Sequence, residues 1–216
     1  MGRDAAKLQH VTNDLKVRGA AQVEMISIDF NDTDKLPAAV GAAFAALEAV
    51  DVALVAHGTL SDQALCQSDV AAALHEIASN ATSHIAILTL IADRMAARRA
   101  GTLAVISSVA GDRGRGSNYV YGAAKAAVSS FCEGLGMRLF PTGVRVLTIK
   151  PGPVATPMTA GTKMPSFILA TPEKVAQDIV RAIRRNASTL YTPWFWRPIM
   201  FVIRALPAAV LRRLPL

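Results

Sequence analysis

Apolar and polar positions along this 216-residue chain sort into two kinds of segment. Short apolar runs bounded by polar or glycine residues predict strands over 23–28, 51–56, 102–107 and 144–149, with a shorter one near 189–191. Longer Ala-rich segments predict helices over 4–19, 32–49, 121–139 and 171–185, and one or two helices over 60–99. The 60–99 segment carries an apolar stripe that includes Ile77, Ile85, Leu88 and Met95. Pro172 stands near the start of the 171–185 helix, where proline is tolerated. Strands alternating with helices predict an α/β fold, a doubly wound Rossmann-type parallel sheet with helices on both faces. The length suits one domain with a sizeable core.

The stretch from Gly101 to Lys125 carries the chemistry. Its strand ends in Ser107 and Ser108, a Gly-rich loop follows, and Tyr121 and Lys125 open the next helix four residues apart. Residues i and i+4 share a helix face. The phenol and the ammonium therefore point together toward the strand end that holds Ser108, the end where open α/β sheets bind ligands. A phenol titrates near pH 10, and a nearby ammonium favours phenolate. Ser108 can hold a carbonyl or carbinol oxygen while Tyr121 gives or takes its proton. Ser107 reads as a residue packed in the strand.

The set resembles the short-chain dehydrogenases/reductases. Tyr121-Gly-Ala-Ala-Lys125 is similar to that family's active-site motif, and Ser108 to its catalytic serine. Lys150-Pro-Gly-Pro-Val-Ala-Thr156 resembles its Pro-Gly motif, and Asn80 its helix asparagine. Asp51-Val-Ala-Leu-Val-Ala-His-Gly58 resembles the strand that usually ends Asn-Asn-Ala-Gly, with Ala56 and His57 in place of the polar pair. The resemblance implies Ser108, Tyr121, Lys125 and Asn80 as catalytic residues, with Asn80 holding a water in a proton relay with Lys125. It implies cofactor contacts from Arg3, Asp29, Gly58, Tyr121, Lys125, Pro151, Gly152, Val154 and Thr156. Asp29 would lie beside the adenine, Arg3 near the 2′-phosphate of NADP, and Thr156 at the nicotinamide carboxamide. NADP is the implied cofactor, with NAD as the alternative. Thr156 can equally cap a helix.

The family opens with a strand, a Gly-rich turn and a helix, and no such stretch precedes 23–28. The resemblance thus leaves the first two strands missing from the chain, with Met1-Gly-Arg3 matching the turn after the second. Residues 1–192 would be a truncated dinucleotide-binding catalytic domain. The glycines of Gly111–Gly116 fall beside the active site rather than at a pyrophosphate.

Charge divides the chain unevenly. All 16 acidic side chains lie at or before Asp178, while seven arginines follow it, so the net +7 is carried by the residues after Asp178. No nucleic-acid motif is present. Residues 193–216, PWFWRPIMFVIRALPAAVLRRLPL, read as a basic amphipathic tail with a kink at Pro207. As a helix it places Ile199, Ile203, Leu206, Val210 and Leu214 on one face, with Arg197, Arg204 and Arg212 roughly opposite. It is too short and broken to span a bilayer. It suits an interfacial helix on an anionic membrane, or equally a lid or dimer-packing helix. The tail and Asn118-Tyr-Val-Tyr-Gly122 also resemble short-chain reductases of polyprenyl-phosphate-linked sugars. Cys66 and Cys132 have no motif spacing, which points to a reducing, cytoplasmic setting without a structural disulfide. His10, His57, His75 and His84 do not group as metal ligands.

These readings converge on an oxidoreductase that interconverts a ketone and a secondary alcohol, a small-molecule or lipid-linked substrate, in a homo-oligomer. A catalytically degenerate protein of the same fold, acting as a binding or membrane-docking module, is the alternative; an epimerase or dehydratase on that fold is a third.

Overall fold

The computed structural model describes residues 1–159 and 168–213. Four parallel strands form one sheet in the order β1 (Val52–Val55), β2 (Thr102–Ile106), β3 (Arg145–Pro151), β4 (Thr189–Thr192). Ahead of β1 lie α1 (Ala5–Val17) and α2 (Leu36–Ala46). The crossover to β2 carries α3 (Gln63–Ser68), α4 (Val70–Ile77), a π-helical turn over Ala78–Thr82, and α5 (Ser83–Arg98). The next two crossovers carry α6 (Tyr119–Leu139) and α7 (Pro172–Arg184), and α8 (Trp196–Ala205) and α9 (Ala208–Leu211) follow β4.

Strand side chains alternate between faces. Leu103 and Val105 of β2 and Val146 of β3 pack with α2, α5 and α6 residues such as Leu36, Leu88 and Val128. Ala104, Leu147 and Ile149 join Val175, Ile179 and Ala182 of α7 in the opposite core. Both faces are therefore covered at β2, which is apolar apart from Thr102, and along the buried Val146–Ile149 stretch of β3, as a buried parallel sheet requires.

Caps set several helix starts. The Asp4, Asp69 and Thr171 side chains accept from the backbone N–H groups of Lys7, Ala71 and Lys174. Asn118 offers α6 no such bond; the Gln63 side chain instead accepts from Val120 N at 3.2 Å.

Two predicted strands need correction. Residues 23–28 make only an isolated parallel bridge, Gly2 with Ser27, through Gly2 N to Ile26 O and Ile28 N to Gly2 O. A strand needs a continuous neighbour, and Gly2 supplies a single bridge. The 51–56 run was expected to be buried, yet β1 is an edge with Val52 and Leu54 exposed, because no helix covers that face among the described residues. The tail does break at Pro207, between α8 and α9. Its buried residue is Met200, not one of the expected apolar face; Ile199 and Val210 are exposed, and Leu214 lies outside the described residues.

Leu147 is fully buried between β2, β4 and α7. Leu147→Ala should cost about 2–5 kcal/mol in denaturant unfolding, whereas truncating the exposed Val180 to Ala should change the midpoint little.

Candidate active site

Parallel strands bring their carboxyl ends to one edge, so β1 delivers His57 and Gly58 there, β2 Ser107 and Ser108, and β3 Pro151 and Gly152. Ser107 is buried as expected. Its hydroxyl donates to the Lys125 backbone carbonyl at 3.0 Å and pairs with Ser129 Oγ at 2.7 Å. It ties α6 to the end of β2. The Ser108 side chain caps the short turn Val109–Gly111 by accepting from Ala110 N at 3.1 Å.

Tyr121, in the first turn of α6, lies against Ser108, and the Lys125 ammonium sits 5.7 Å from the Tyr121 ring centroid. The three groups meet at one place. Lys125 is 3% exposed and donates to the Ile106 carbonyl at 3.2 Å. Burial pulls its pKa down to about 8, against an upward pull from Glu76. The Tyr121 pKa is raised, first by burial and then by Glu76, with the Ser108 hydrogen bond opposing. This corrects the expectation that Lys125 lowers it. With the ammonium 5.7 Å from the ring centroid, desolvation of phenolate wins.

Asn80 lies in the π-helical turn, fully buried. Its Oδ1 accepts from Thr59 N at 3.1 Å, and its Nδ2 donates to Thr59 O at 3.1 Å, Thr59 Oγ1 at 3.0 Å and Glu76 Oε1 at 2.8 Å. Its amide is thus engaged with Thr59 and Glu76. A Cβ on Gly58 would come within 2.7 Å of Asn80 Oδ1 and 3.5 Å of Lys125 Nζ, so only glycine lets this strand end pass between them.

Arg3, Asp29 and Gly58, drawn from distant parts of the sequence, line a single cavity of about 580 Å³ between β1 and the Met1–Arg3 segment. Arg3 and Asp29 pair there at 3.8 Å. Much of the remaining wall is apolar, including Phe30, Phe44 and Ile87. His57 stacks between Phe30 at 4.2 Å and His84 at 4.0 Å, and its Nε2 meets Ser83 Oγ at 2.8 Å.

At the β3 end Pro151 is buried, and Gly152 N donates to Thr192 O at 3.0 Å. Val154 bridges Ala170, and Thr156 N donates to Thr159 Oγ1 at 3.2 Å. Gly152 abuts the Trp196 indole of α8: a Cβ would fall 1.9 Å from its Nε1. Lys150 pairs with the buried Asp112 at 2.5 Å, and Tyr191 donates to the same carboxylate at 2.7 Å. Burial, then that carboxylate, pushes the Tyr191 pKa up to about 12.

Sequence reasoning missed Glu76, Thr59, Trp196 and the Asp112–Tyr191 pair. Glu76 stands four residues before Asn80, a spacing that puts both on one helix face, and this was the available signal. The contacts of Trp196 and Asp112 span long sequence separations and left none. Cys66 and Cys132 are buried free thiols.

A parallel sheet with a serine, a tyrosine and a lysine gathered at its strand ends is the architecture of a dehydrogenase. Residues 1–165 match the short chain dehydrogenase family model. The chain belongs to that family and is a short-chain oxidoreductase. It is 36% identical over 213 residues to an oxidoreductase of Mycobacterium tuberculosis, covering 99% of this chain and 85% of that one. It is 34% identical over 212 residues to an oxidoreductase of Streptomyces coelicolor, covering 98% and 83%. A short chain dehydrogenase of Burkholderia cenocepacia, solved in complex with NADP, superposes with a TM-score of 0.78 at 20% identity, covering 91% of this chain and 80% of that one.

Burial above all, with the Lys125 charge adding, lowers the His57 pKa to about 4. Burial and then the Lys125 and His57 charges lower that of His84 to about 2, against a smaller pull from the His57 and Ser79 backbone. The fold holds both rings neutral, while the unfolded chain protonates them below about pH 6.5. Their stabilisation is complete above that pH and lost as pH falls toward 4 and then 2, at up to about 1.4 kcal/mol per pH unit for each ring. The melting temperature should drop below pH 6.5 relative to its value at pH 7, and His57→Gln should flatten that drop.

Proposed function

We propose that this chain interconverts a ketone and a secondary alcohol with NADP as hydride carrier and Tyr121 as general acid/base. The observation that carries this reading is the convergence of Tyr121, Lys125 and Ser108 at one strand end. The residues present suit the cofactor at two ends. Lys125 is buried, and its one hydrogen bond leaves donors for ribose hydroxyls. Arg3 lines the cavity with Asp29 and Gly58, at the end suited to a 2′-phosphate, which favours NADP over NAD. Pro151, Gly152, Val154 and Thr156 would flank the nicotinamide. The solved Burkholderia relative carries NADP. When bound, the cofactor supplies or removes hydride.

The chain's own groups do the rest. Ser108 orients the substrate oxygen by hydrogen bond. Tyr121, held protonated by burial, donates its hydroxyl proton to that oxygen in reduction and recovers it in oxidation. Lys125 holds the ribose. Asn80 supports the proton path by fixing the Thr59 loop beside Lys125.

A homo-oligomer is supported by the exposed apolar side chains Leu65, Val70 and Leu74 of α3 and α4 and Met137 of α6. Residues 193–213 support a peripheral contact with an anionic membrane, suited to a lipid-linked substrate. Trp194 and Phe201 are 76% and 77% exposed, Val202 is exposed beside them, and Arg197 and Arg204 accompany them. No helix among the described residues is long and apolar enough to cross a membrane.

Against a panel of ketones with NADPH, Tyr121→Phe should cut turnover by roughly 100-fold or more while the thermal shift caused by NADPH persists. Near-parental turnover removes Tyr121 from the mechanism. In vesicle sedimentation, the chain should bind phosphatidylglycerol-rich but not phosphatidylcholine vesicles. The double variant Trp194→Ser, Phe201→Ser should lose about tenfold in affinity; equal binding to both vesicle types refutes the membrane contact.

A further inference from the structure

Glu76 is a carboxylate in a place where carboxylates are seldom found. It is 1% exposed, at the carboxyl end of α4 one turn before the π-helical Asn80. A buried carboxylate costs several kcal/mol unless paired and hydrogen-bonded. Three neutral donors reach it: Asn80 Nδ2 at 2.8 Å on Oε1, Thr59 Oγ1 at 3.0 Å on Oε2, and the Ser61 hydroxyl, also on Oε2. Neutral donors satisfy lone pairs without cancelling charge. No ion pair within 4.0 Å reaches Glu76 among the described residues; the cation of the same pocket is Lys125, whose ammonium lies across the Gly58 backbone from the Asn80 amide that Glu76 holds. The Asn80 amide, pinned by Glu76, in turn fixes Thr59 and the Gly58 backbone that passes between Asn80 and Lys125.

We propose that Glu76 is a positioning residue of the active site: its buried carboxylate clamps Asn80 and the Thr59–Ser61 segment and is the fixed countercharge that keeps Lys125 an ammonium. This rests on the reading of Lys125 as part of the active site. Burial alone drives Lys125 toward the neutral amine, and Glu76 opposes it. The same charge disfavours phenolate at Tyr121. The other titratable groups coupled to this site are His57 and His84, and both are neutral above pH 6.5 because burial lowers them to about 4 and about 2. Above that pH the charge balance of the pocket is set by Glu76 and Lys125.

The test reads Lys125 directly and needs no substrate. In chain labelled with ¹⁵N-lysine, the Lys125 side-chain signal, assigned by its loss in Lys125→Met, is followed against pH. Glu76→Gln keeps size and hydrogen bonding but removes the charge, and should lower the Lys125 titration midpoint by about 1 unit. Glu76→Asp should restore most of that shift. An unchanged midpoint in a folded Glu76→Gln chain overturns the proposal, because a protonated Glu76 could fill the same hydrogen bonds as a neutral group. Should Glu76→Gln not fold, ¹³C labelling of the Glu76 carboxyl in the parent chain decides. A carboxylate at pH 7 upholds the countercharge and a protonated acid refutes it. Where ketone turnover is measurable, the alkaline limb of its pH profile should move down with the Lys125 midpoint. A shifted midpoint in a chain with no turnover would overturn the proposed reaction and leave the role of Glu76 standing.

Discussion

The strand-end site depends on the cost of holding the Lys125 ammonium out of water. A lysine this buried sheds its proton unless something negative or strongly polar faces it. The fold provides a backbone carbonyl at Ile106 and the Glu76 charge. Neither comes from the helix that carries Lys125. The carbonyl belongs to β2 and the carboxylate to α4, so the charge state of Lys125 reports whether α4, β2 and α6 are docked together. Ser107 reinforces that docking by bonding the Lys125 backbone from the end of β2.

That dependence explains which parts of the site the sequence could reveal. Ser108, Tyr121 and Lys125 stand within one short stretch, and their convergence follows from strand direction and the i, i+4 rule alone. Asn80 could be placed in its helix, but its bonds could not. They go to Thr59, in the loop after β1, and no local rule predicts which loop a buried amide will meet. Glu76 was legible as a helix neighbour of Asn80 but not as a buried charge, because burial of α4 is decided by α6 and the π-helical turn rather than by its own residues.

The alternation of strands and helices was legible for the same local reason, and its failures share one cause. An apolar run says that a segment prefers burial, not that a partner exists. Residues 23–28 have the composition of a strand and find only Gly2 to pair with. Val52 and Leu54 have the composition of a core strand and remain exposed because β1 is an edge. Hydrogen-bond partners and covering helices are properties of the whole arrangement.

The tail carries the argument furthest from local pattern. Its amphipathic pattern suited a membrane-surface helix and, equally, a lid or dimer-packing helix. Trp196 is pressed against Gly152 at the end of β3, and Arg113, in the loop between β2 and α6, donates to the Leu206 carbonyl at 3.2 Å. The inner side of α8 is therefore committed to the catalytic end of the sheet, while Trp194, Phe201 and Val202 face outward. The helix thus has one side packed on Gly152 and the other exposed and accompanied by Arg197 and Arg204.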